Sequence, residues 1–244
     1  MSRTPRRSDA RGSERWLRAV VNDKHDLLNR RIASKFRWDR PESITWLSPL
    51  RDDHFAEYSD QDFLDRLGLN NLRYPLSSFW PSRGPHWDGL ARTATGKVIL
   101  VEAKAYIEES VDFTTHAKSP SSIQRIERSL AMAKQGFGAR KEAPWNTPFY
   151  QTPNRLAHLF FLHKLNRVDA WMLFIDFANA PDVDNPCTVE EWRGAIRLTN
   201  RCLGLGFDVL KRRVAHLIWD WKESPLSANG RKACLHDRRN LRRA

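Results

Sequence analysis

The segment 170–177, AWMLFIDF, is the feature that most limits what this chain can fold into. Its apolar run is nearly continuous, whereas a strand with one solvated face alternates apolar and polar residues. Such a strand needs cover on both faces, and the flanking stretches can supply it as helices. Thr152-Pro153 opens the helix before it, and Thr188 caps the helix after it. The pattern predicts an α/β fold with a central mixed β-sheet flanked by helices.

The remaining elements follow from apolar periodicity, capping residues and turn residues. In the first half of the chain the sequence predicts a helix from Ser13 through about Ile32, an extended segment ITWL at 44–47, a helix at 54–67 that begins at Ser59 at the latest, a short strand at Leu76–Trp80 and a hairpin at 86–105. In the second half it predicts a helix from Ser119 to Gly136, the helix after Thr152, the strand 170–177, a helix from Thr188 to about Cys202 and a strand at Val214–Trp221.

The hairpin contains charges that a buried strand has no obvious use for. Its strands cover about His86–Arg92 and Lys97–Ala105, joined by a turn at Ala94–Gly96. Glu102 and Lys104 close the apolar run VILV, and alternation along the strand places them on one face. Asp88 precedes Glu102 by fourteen positions and can lie across the hairpin from it. The pattern predicts two carboxylates and one ammonium at one end of the sheet.

This combination has a known chemical use. Carboxylate oxygens are ligands for Mg²⁺ or Mn²⁺, and Mg²⁺ also binds substrate phosphate. We therefore expect Asp88 and Glu102 to bind the metal ion. A lysine beside them can orient or deprotonate the attacking water and offset charge on the phosphate. The alternative is that these residues pair at the surface as ordinary charges at the end of a strand.

Asp88 followed by Glu102-Ala103-Lys104 on the return strand of a hairpin resembles the motif of the PD-(D/E)XK nuclease superfamily, and the members it most resembles are bacterial. The resemblance implies a restriction-endonuclease-like core over about 54–177, in which a helix precedes a three-stranded meander and then a helix and a strand follow. It also implies Mg²⁺-dependent hydrolysis of phosphodiester bonds. There are two departures: Trp87 replaces the proline before the aspartate, and the Q-x-x-x-Y of some members reads Gln151 to Arg155.

Further candidates carry less specific signals. The resemblance implies a glutamate from the first helix in the metal site, and Glu57 is our candidate, with Asp62 and Asp65 as competitors. Solvated helix charges are the alternative for all three. Gln151 and Arg155 lie near the beginning of a predicted helix, where backbone N–H groups favour a phosphate. We expect them to contact nucleic-acid phosphate, with a plain surface arginine as the alternative.

The formal net charge of +12 is concentrated at the two ends of the chain. Residues 1–13 carry a net charge of +3 and residues 230–244 a net charge of +5. We expect a disordered basic tail at 1–13, a single domain at 14–222 and a basic tail at 223–244. Basic tails suit a polyanion such as DNA, although solvated ends are the alternative. The expected function is a nuclease acting on DNA; the alternative is a DNA-binding or assembly protein that keeps the fold without catalysis.

The cysteines and the hydropathy indicate the compartment. Cys187, Cys202 and Cys234 are widely spaced and form no CxxC pair, which is typical of a reducing cytoplasm and argues against structural zinc. No stretch approaches the roughly 18 apolar residues of a membrane span, and the first residues lack the apolar segment of a secretory signal. The sequence therefore predicts a cytoplasmic protein with no membrane partner.

Overall fold

The structure of this chain is a computed structural model. It describes residues 3–4, 10–38, 42–111, 115, 117–146, 148–206 and 210–223. The predicted basic tail therefore lies outside the described residues from 224 to 244, and so do residues 1–2 and 5–9 of the predicted tail at the other end.

Helices and strands alternate along most of the described chain. The strands are β1 (Arg3–Thr4), β2 (Ile44–Ser48), β3 (Glu57–Tyr58), β4 (Gly89–Thr93), β5 (Val98–Lys104), β6 (Ala170–Ala178) and β7 (Val214–Asp220). The helices are α1 (Gly12–Asp23), α2 (His25–Phe36), α3 (Asp60–Arg66), α4 (Leu76–Phe79), α5 (Pro120–Gly136), α6 (Gln151–Phe160), which continues as a π-helix over Phe161–Leu165, and α7 (Val189–Cys202).

The central sheet has five strands within the described residues, in the order β2-β4-β5-β6-β7. β2, β4 and β5 pair antiparallel, and β5, β6 and β7 pair parallel. The predicted α/β class with a mixed central sheet is confirmed. The parallel steps require crossover connections. The crossover from β5 to β6 contains α5 and α6, and the crossover from β6 to β7 contains α7.

Both faces of the sheet are buried, as the apolar run of β6 predicts. One face, including Leu100 and Phe174, packs in a core with α3, α4, α5 and α6. The other, including Ile99 and Ile175, packs in a second core with α1 and α2. Since side chains alternate along β5, Glu102 and Lys104 point to the same side as Leu100, toward α5 and α6.

Between β2 and β4, one predicted helix is confirmed only from its Ser59 cap onward, and one predicted strand is wrong. Residues 54–58 are not helical: Glu57 lies in β3, which pairs with β1, and the helix begins only at Asp60. Leu76–Trp80 is not a strand, because Leu76 and Phe79 are buried together at helical spacing in α4. The antiparallel strand beside β4 is instead β2.

The predicted first helix is also wrong in its continuity, because it divides into α1 and α2 at Lys24. Asn22 forms two tertiary hydrogen bonds at the end of α1: its Nδ2 donates to the Pro49 carbonyl at 2.9 Å, and its Oδ1 accepts from the Arg51 N–H at 3.0 Å. These bonds hold the end of α1 against the segment after β2. The helical period of apolar residues continues across Lys24, so the sequence pattern does not reveal where α1 ends.

Within the described residues, no helix combines the length and the hydropathy needed to cross a membrane.

Candidate active site

Asp88 lies opposite Glu102 at the open end of the β4–β5 hairpin. Gly89 pairs with Val101, so the residues one step further along the two chains are Asp88 and Glu102. The Asp88 Oδ2 accepts a hydrogen bond from the Ala103 N–H at 2.7 Å. A Cβ on Gly89 would lie 3.2 Å from the Val101 Cβ, and a glycine after Asp88 therefore lets the strands approach closely. The predicted hairpin is confirmed, and it brings the first carboxylate to the end of β5.

Glu102 and Lys104 form a buried ion pair on one face of β5. The relative exposure of Glu102 is 2% and that of Lys104 is 5%, and the Lys104 Nζ lies 3.6 Å from the Glu102 Oε1. Burying charged groups is costly unless they are paired and hydrogen-bonded. The alternative in which they are solvated charges at the end of a strand therefore does not describe them.

Helix α6 supplies the partners of both side chains. Gln151 and Arg155 lie four residues apart, hence on one helix face. The Arg155 Nε donates to the Glu102 Oε2 at 2.5 Å, and the Lys104 Nζ donates to the Gln151 Oε1. Arg155 also donates to the His86 carbonyl at 3.2 Å and lies over the Trp87 ring, 5.1 Å from its centroid. Arg155 is buried, so it is not the surface arginine that we considered as an alternative.

The residues before and after the Asp–Glu–Lys motif thus take part in its network. Trp87, which stands where the motif that this hairpin resembles has a proline, stacks on Arg155. Gln151 and Arg155, which depart from Q-x-x-x-Y, contact Lys104 and Glu102 respectively. The expected contact of Gln151 and Arg155 with phosphate stays a prediction. In this structure Gln151 and Arg155 contact other groups of the protein.

The Asp88 carboxyl has a strongly perturbed pKa. Burial raises its pKa well above the ordinary value, and the negative charges of Glu102 and Glu57 raise it further. The Ala103 N–H and the charge of Arg155 act in the opposite direction and only partly offset these effects. Asp88, Glu102 and Glu57 therefore form a group of mutually repelling carboxylates.

Glu57 reaches this group from a strand rather than from the predicted helix. Its side chain is buried, with a relative exposure of 4%, and it acts electrostatically on Asp88. Its competitors Asp62 and Asp65 lie on α3, and neither is among the charges that shift Asp88. Asp65 is exposed and accepts a hydrogen bond from Gln61 at 2.9 Å.

Two acidic residues at this end of the sheet were not predicted from the sequence. The Glu109 carbonyl accepts from the Lys104 Nζ at 2.9 Å, and its carboxylate accepts from the Ala105 N–H at 2.7 Å. Asp176 on β6 is the register partner of Lys104 and accepts from the His216 Nδ1 at 3.0 Å. Asp176 could have been found from its sequence context, since a lone carboxylate in AWMLFIDF is the same signal as Glu102 in VILVEAK. Glu109 has no comparable signal.

The donor set can be tested against a divalent cation. Within the part of the chain that the structure describes, no three or more His, Cys, Asp and Glu side chains form a group that could hold a metal ion by themselves. Mg²⁺, however, is usually held by one or two carboxylates, several waters and substrate phosphate. Burial raises the pKa of Asp88 most, and the negative charges of Glu102 and Glu57 add to this effect, so a cation beside these carboxylates would favour the ionised form of Asp88. Asp88 and Glu102 fit this mode of binding, with Glu57 close to them.

Comparison of the chain with models of protein families, with curated proteins and with solved structures gives no match.

Proposed function

We propose that this protein is a Mg²⁺-dependent nuclease that hydrolyses phosphodiester bonds in DNA on a restriction-endonuclease-like core. The observation that carries the proposal is the convergence of Asp88, Glu102 and Lys104 at one end of the hairpin. Asp88 and Glu102 would hold the metal ion. When bound, the ion supplies positive charge for the phosphate oxygens and lowers the pKa of a water. Mn²⁺ suits the same oxygen ligands.

Lys104 would act on the reacting phosphate through its fixed positive charge. Its ammonium is oriented by the Glu109 carbonyl and by Gln151, so it needs little reorganisation when negative charge develops. In hydrolysis the water oxygen forms a bond to phosphorus, the bond from phosphorus to the leaving oxygen breaks, and the leaving oxygen gains a proton. A preoriented ammonium beside Glu102 stabilises the added charge on the phosphate oxygens and can orient the water.

A second candidate function is favoured by one observation. Arg155 holds the Glu102 Oε2 at 2.5 Å, and this contact already neutralises a carboxylate that the metal ion would need. A protein that binds or assembles on DNA without cleaving it would keep such a pair as a permanent part of its core. The two candidates differ in whether Mg²⁺ competes with Arg155 for Glu102.

Cleavage of labelled DNA by the purified protein tests the proposal. We expect cleavage with Mg²⁺ or Mn²⁺, none with a chelator, and a large loss in Asp88→Asn and Glu102→Gln, which keep size but remove ligand charge. Asp65→Asn is the matched control, because it removes an exposed carboxylate outside the network. If wild type cleaves neither single-stranded nor duplex DNA with either metal, the nuclease proposal is wrong.

A further inference from the structure

A cleft of about 750 Å³ opens beside the candidate active site. It is lined by the segment 80–85, by residues that lead into and begin α5, and by the first residues of α6. Gln151 and Arg155 belong to its wall, and the same two side chains contact Lys104 and Glu102. A molecule in the cleft would therefore lie one side chain away from the proposed catalytic group.

The charge of the cleft suits an anion. Its described lining residues include the cations Arg83, Lys118 and Arg155 but no carboxylate. Arg83 and Lys118 are exposed, so both can reach a phosphate without breaking a buried contact. The segment that carries Arg83 is fixed in place, because the Asp60 carboxylate accepts from the Arg83 and Gly84 N–H groups at 3.0 and 2.8 Å.

A second, independent feature points to a nucleobase. Asn154 lines the cleft, and its relative exposure is 9%. Its Oδ1 is buried and has no hydrogen-bond partner among the described residues. A buried acceptor without a donor is unfavourable, so a ligand N–H group that meets this oxygen when the amide turns toward the cleft would be favoured. Trp80 and Tyr150 also line the cleft, largely buried as they are, and aromatic side chains suit a flat base.

We infer that this cleft binds one nucleotide of a single-stranded nucleic acid, next to the phosphodiester that is cleaved. The inference rests on the proposed function for its link to cleavage. The N–H donors on the pairing edge of a base are free in a single strand and already used in a duplex. The volume lies in the range of small-ligand sites, roughly 300–1,000 Å³, which suits a nucleotide and not a double helix. Arg83 and Lys118 would contact the phosphate, and Asn154 would accept from the base.

Binding measured without cleavage tests the inference separately from the nuclease activity. Fluorescence anisotropy in chelator would follow a labelled single-stranded oligonucleotide and the duplex of the same sequence. The variants are Arg83→Gln with Lys118→Gln, Asn154→Leu and the size-matched Asn154→Asp. Arg193→Gln is the control, because Arg193 is an exposed arginine of α7 outside the cleft. Thermal melting of each variant shows that it folds.

The two kinds of variant should differ in their response to salt. Removing both cations should weaken single-strand binding roughly tenfold or more and reduce the salt slope by about 1.4, since each single-strand phosphate contact contributes roughly 0.7. Asn154→Leu should weaken binding and leave the salt slope unchanged, because the lost contact is neutral. Asn154→Asp should weaken binding further by repelling phosphate. Duplex affinity should change little in any of them.

Three binding results would overturn the inference: single-strand affinity equal to wild type in folded cleft variants, equal losses for duplex and single strand, or a free nucleoside monophosphate that competes at the affinity of the oligonucleotide. The last would indicate a site for free nucleotides. Failure of the nuclease proposal is distinguishable, because wild type would then show single-strand binding that depends on the cleft without cleaving in Mg²⁺. If the cleft variants cleave at the wild-type rate, the nuclease proposal stands and the inference about the cleft is wrong.

Discussion

Arg155 and Glu102 form a buried ion pair, with the Nε of Arg155 2.5 Å from the Oε2 of Glu102. The side chain of Arg155 is 7% exposed and that of Glu102 is 3% exposed. Truncating Arg155 removes the shorter of the two ion-pair contacts of the buried Glu102 and leaves it only the Lys104 ammonium at 3.6 Å, which is destabilising for a buried charge. The pair therefore couples the stability of the protein to the chemistry proposed for Glu102.

Arg155→Met should destabilise the protein by about 3–5 kcal/mol, the usual cost of breaking a buried pair. Urea denaturation measures the change in the free energy of unfolding. Arg193→Met should change it by less than about 1 kcal/mol, because Arg193 is exposed. Adding Glu102→Gln to Arg155→Met should restore part of the loss. A loss below about 1 kcal/mol in Arg155→Met alone would contradict the role of the pair.

Mg²⁺ should stabilise Arg155→Met more than it stabilises wild type. A cation that binds only the folded state raises stability by mass action. In Arg155→Met the cation no longer competes with a guanidinium for Glu102. Melting temperatures with and without Mg²⁺ measure this difference. Equal shifts in the two proteins would mean that the ion does not bind at Glu102.

Asp88→Asn should be more stable than wild type near pH 7.5 in the absence of metal. Burial and neighbouring carboxylates raise the pKa of Asp88 in the folded protein, so the folded state binds the proton more tightly than the unfolded state does. Stability from this group is then present below the unfolded pKa of about 3.9 and is lost as pH rises through the folded pKa. The advantage of Asp88→Asn should therefore shrink toward pH 4. Thermal unfolding across this pH range measures it, and a variant less stable than wild type at pH 7.5 would contradict the raised pKa.

His158 should make the protein less stable in acid. Burial lowers its pKa to about 3, and its ring lies against Trp80 at 4.8 Å and Trp87 at 5.7 Å between centroids. The unfolded state takes up a proton below about pH 6.5, whereas the folded state does not. Stability from this group is therefore present above pH 6.5 and falls by about 1.4 kcal/mol for each pH unit below it.

His158→Gln isolates this effect, because glutamine does not titrate. The difference in unfolding free energy between wild type and His158→Gln should move against wild type as pH falls from 6.5 toward 4. His25→Gln, at an exposed position, should show no such trend. Parallel pH curves for wild type and His158→Gln would mean that the folded protein protonates His158 as readily as the unfolded chain.

The sequence predicted those parts of the fold that depend on local patterns. The apolar runs of β5 and β6 and the Ala94–Gly96 turn fix the hairpin and the buried strands, because period, composition and turn residues agree there. The segment PLSSF was read as a strand, since its short apolar pattern suits either a strand or one helical turn. Packing of Leu76 and Phe79 in the core decided between them.

The candidate site shows the same difference between local patterns, which the sequence reveals, and long-range packing, which it does not. Asp88, Glu102 and Lys104 could be placed together because their separation and the alternation of a hairpin are local properties. The contact of Arg155 with Glu102 spans 53 positions, and only the packing of α6 on the sheet determines it. Glu57 illustrates the second point, since it acts electrostatically on Asp88 from a strand that no local pattern predicted.

The most direct test of the central claim is the single-turnover cleavage rate of Lys104→Met with saturating DNA and Mg²⁺. DNA binding should stay close to wild type, while the rate should fall on the order of 10²–10⁴-fold, the contribution of a positioned group that transfers a proton or stabilises charge. Lys164→Met, at an exposed lysine in the π-helix that follows α6, should cleave at the wild-type rate. A cleavage rate in Lys104→Met equal to that of wild type would show that Lys104 is not catalytic and would contradict the proposed mechanism.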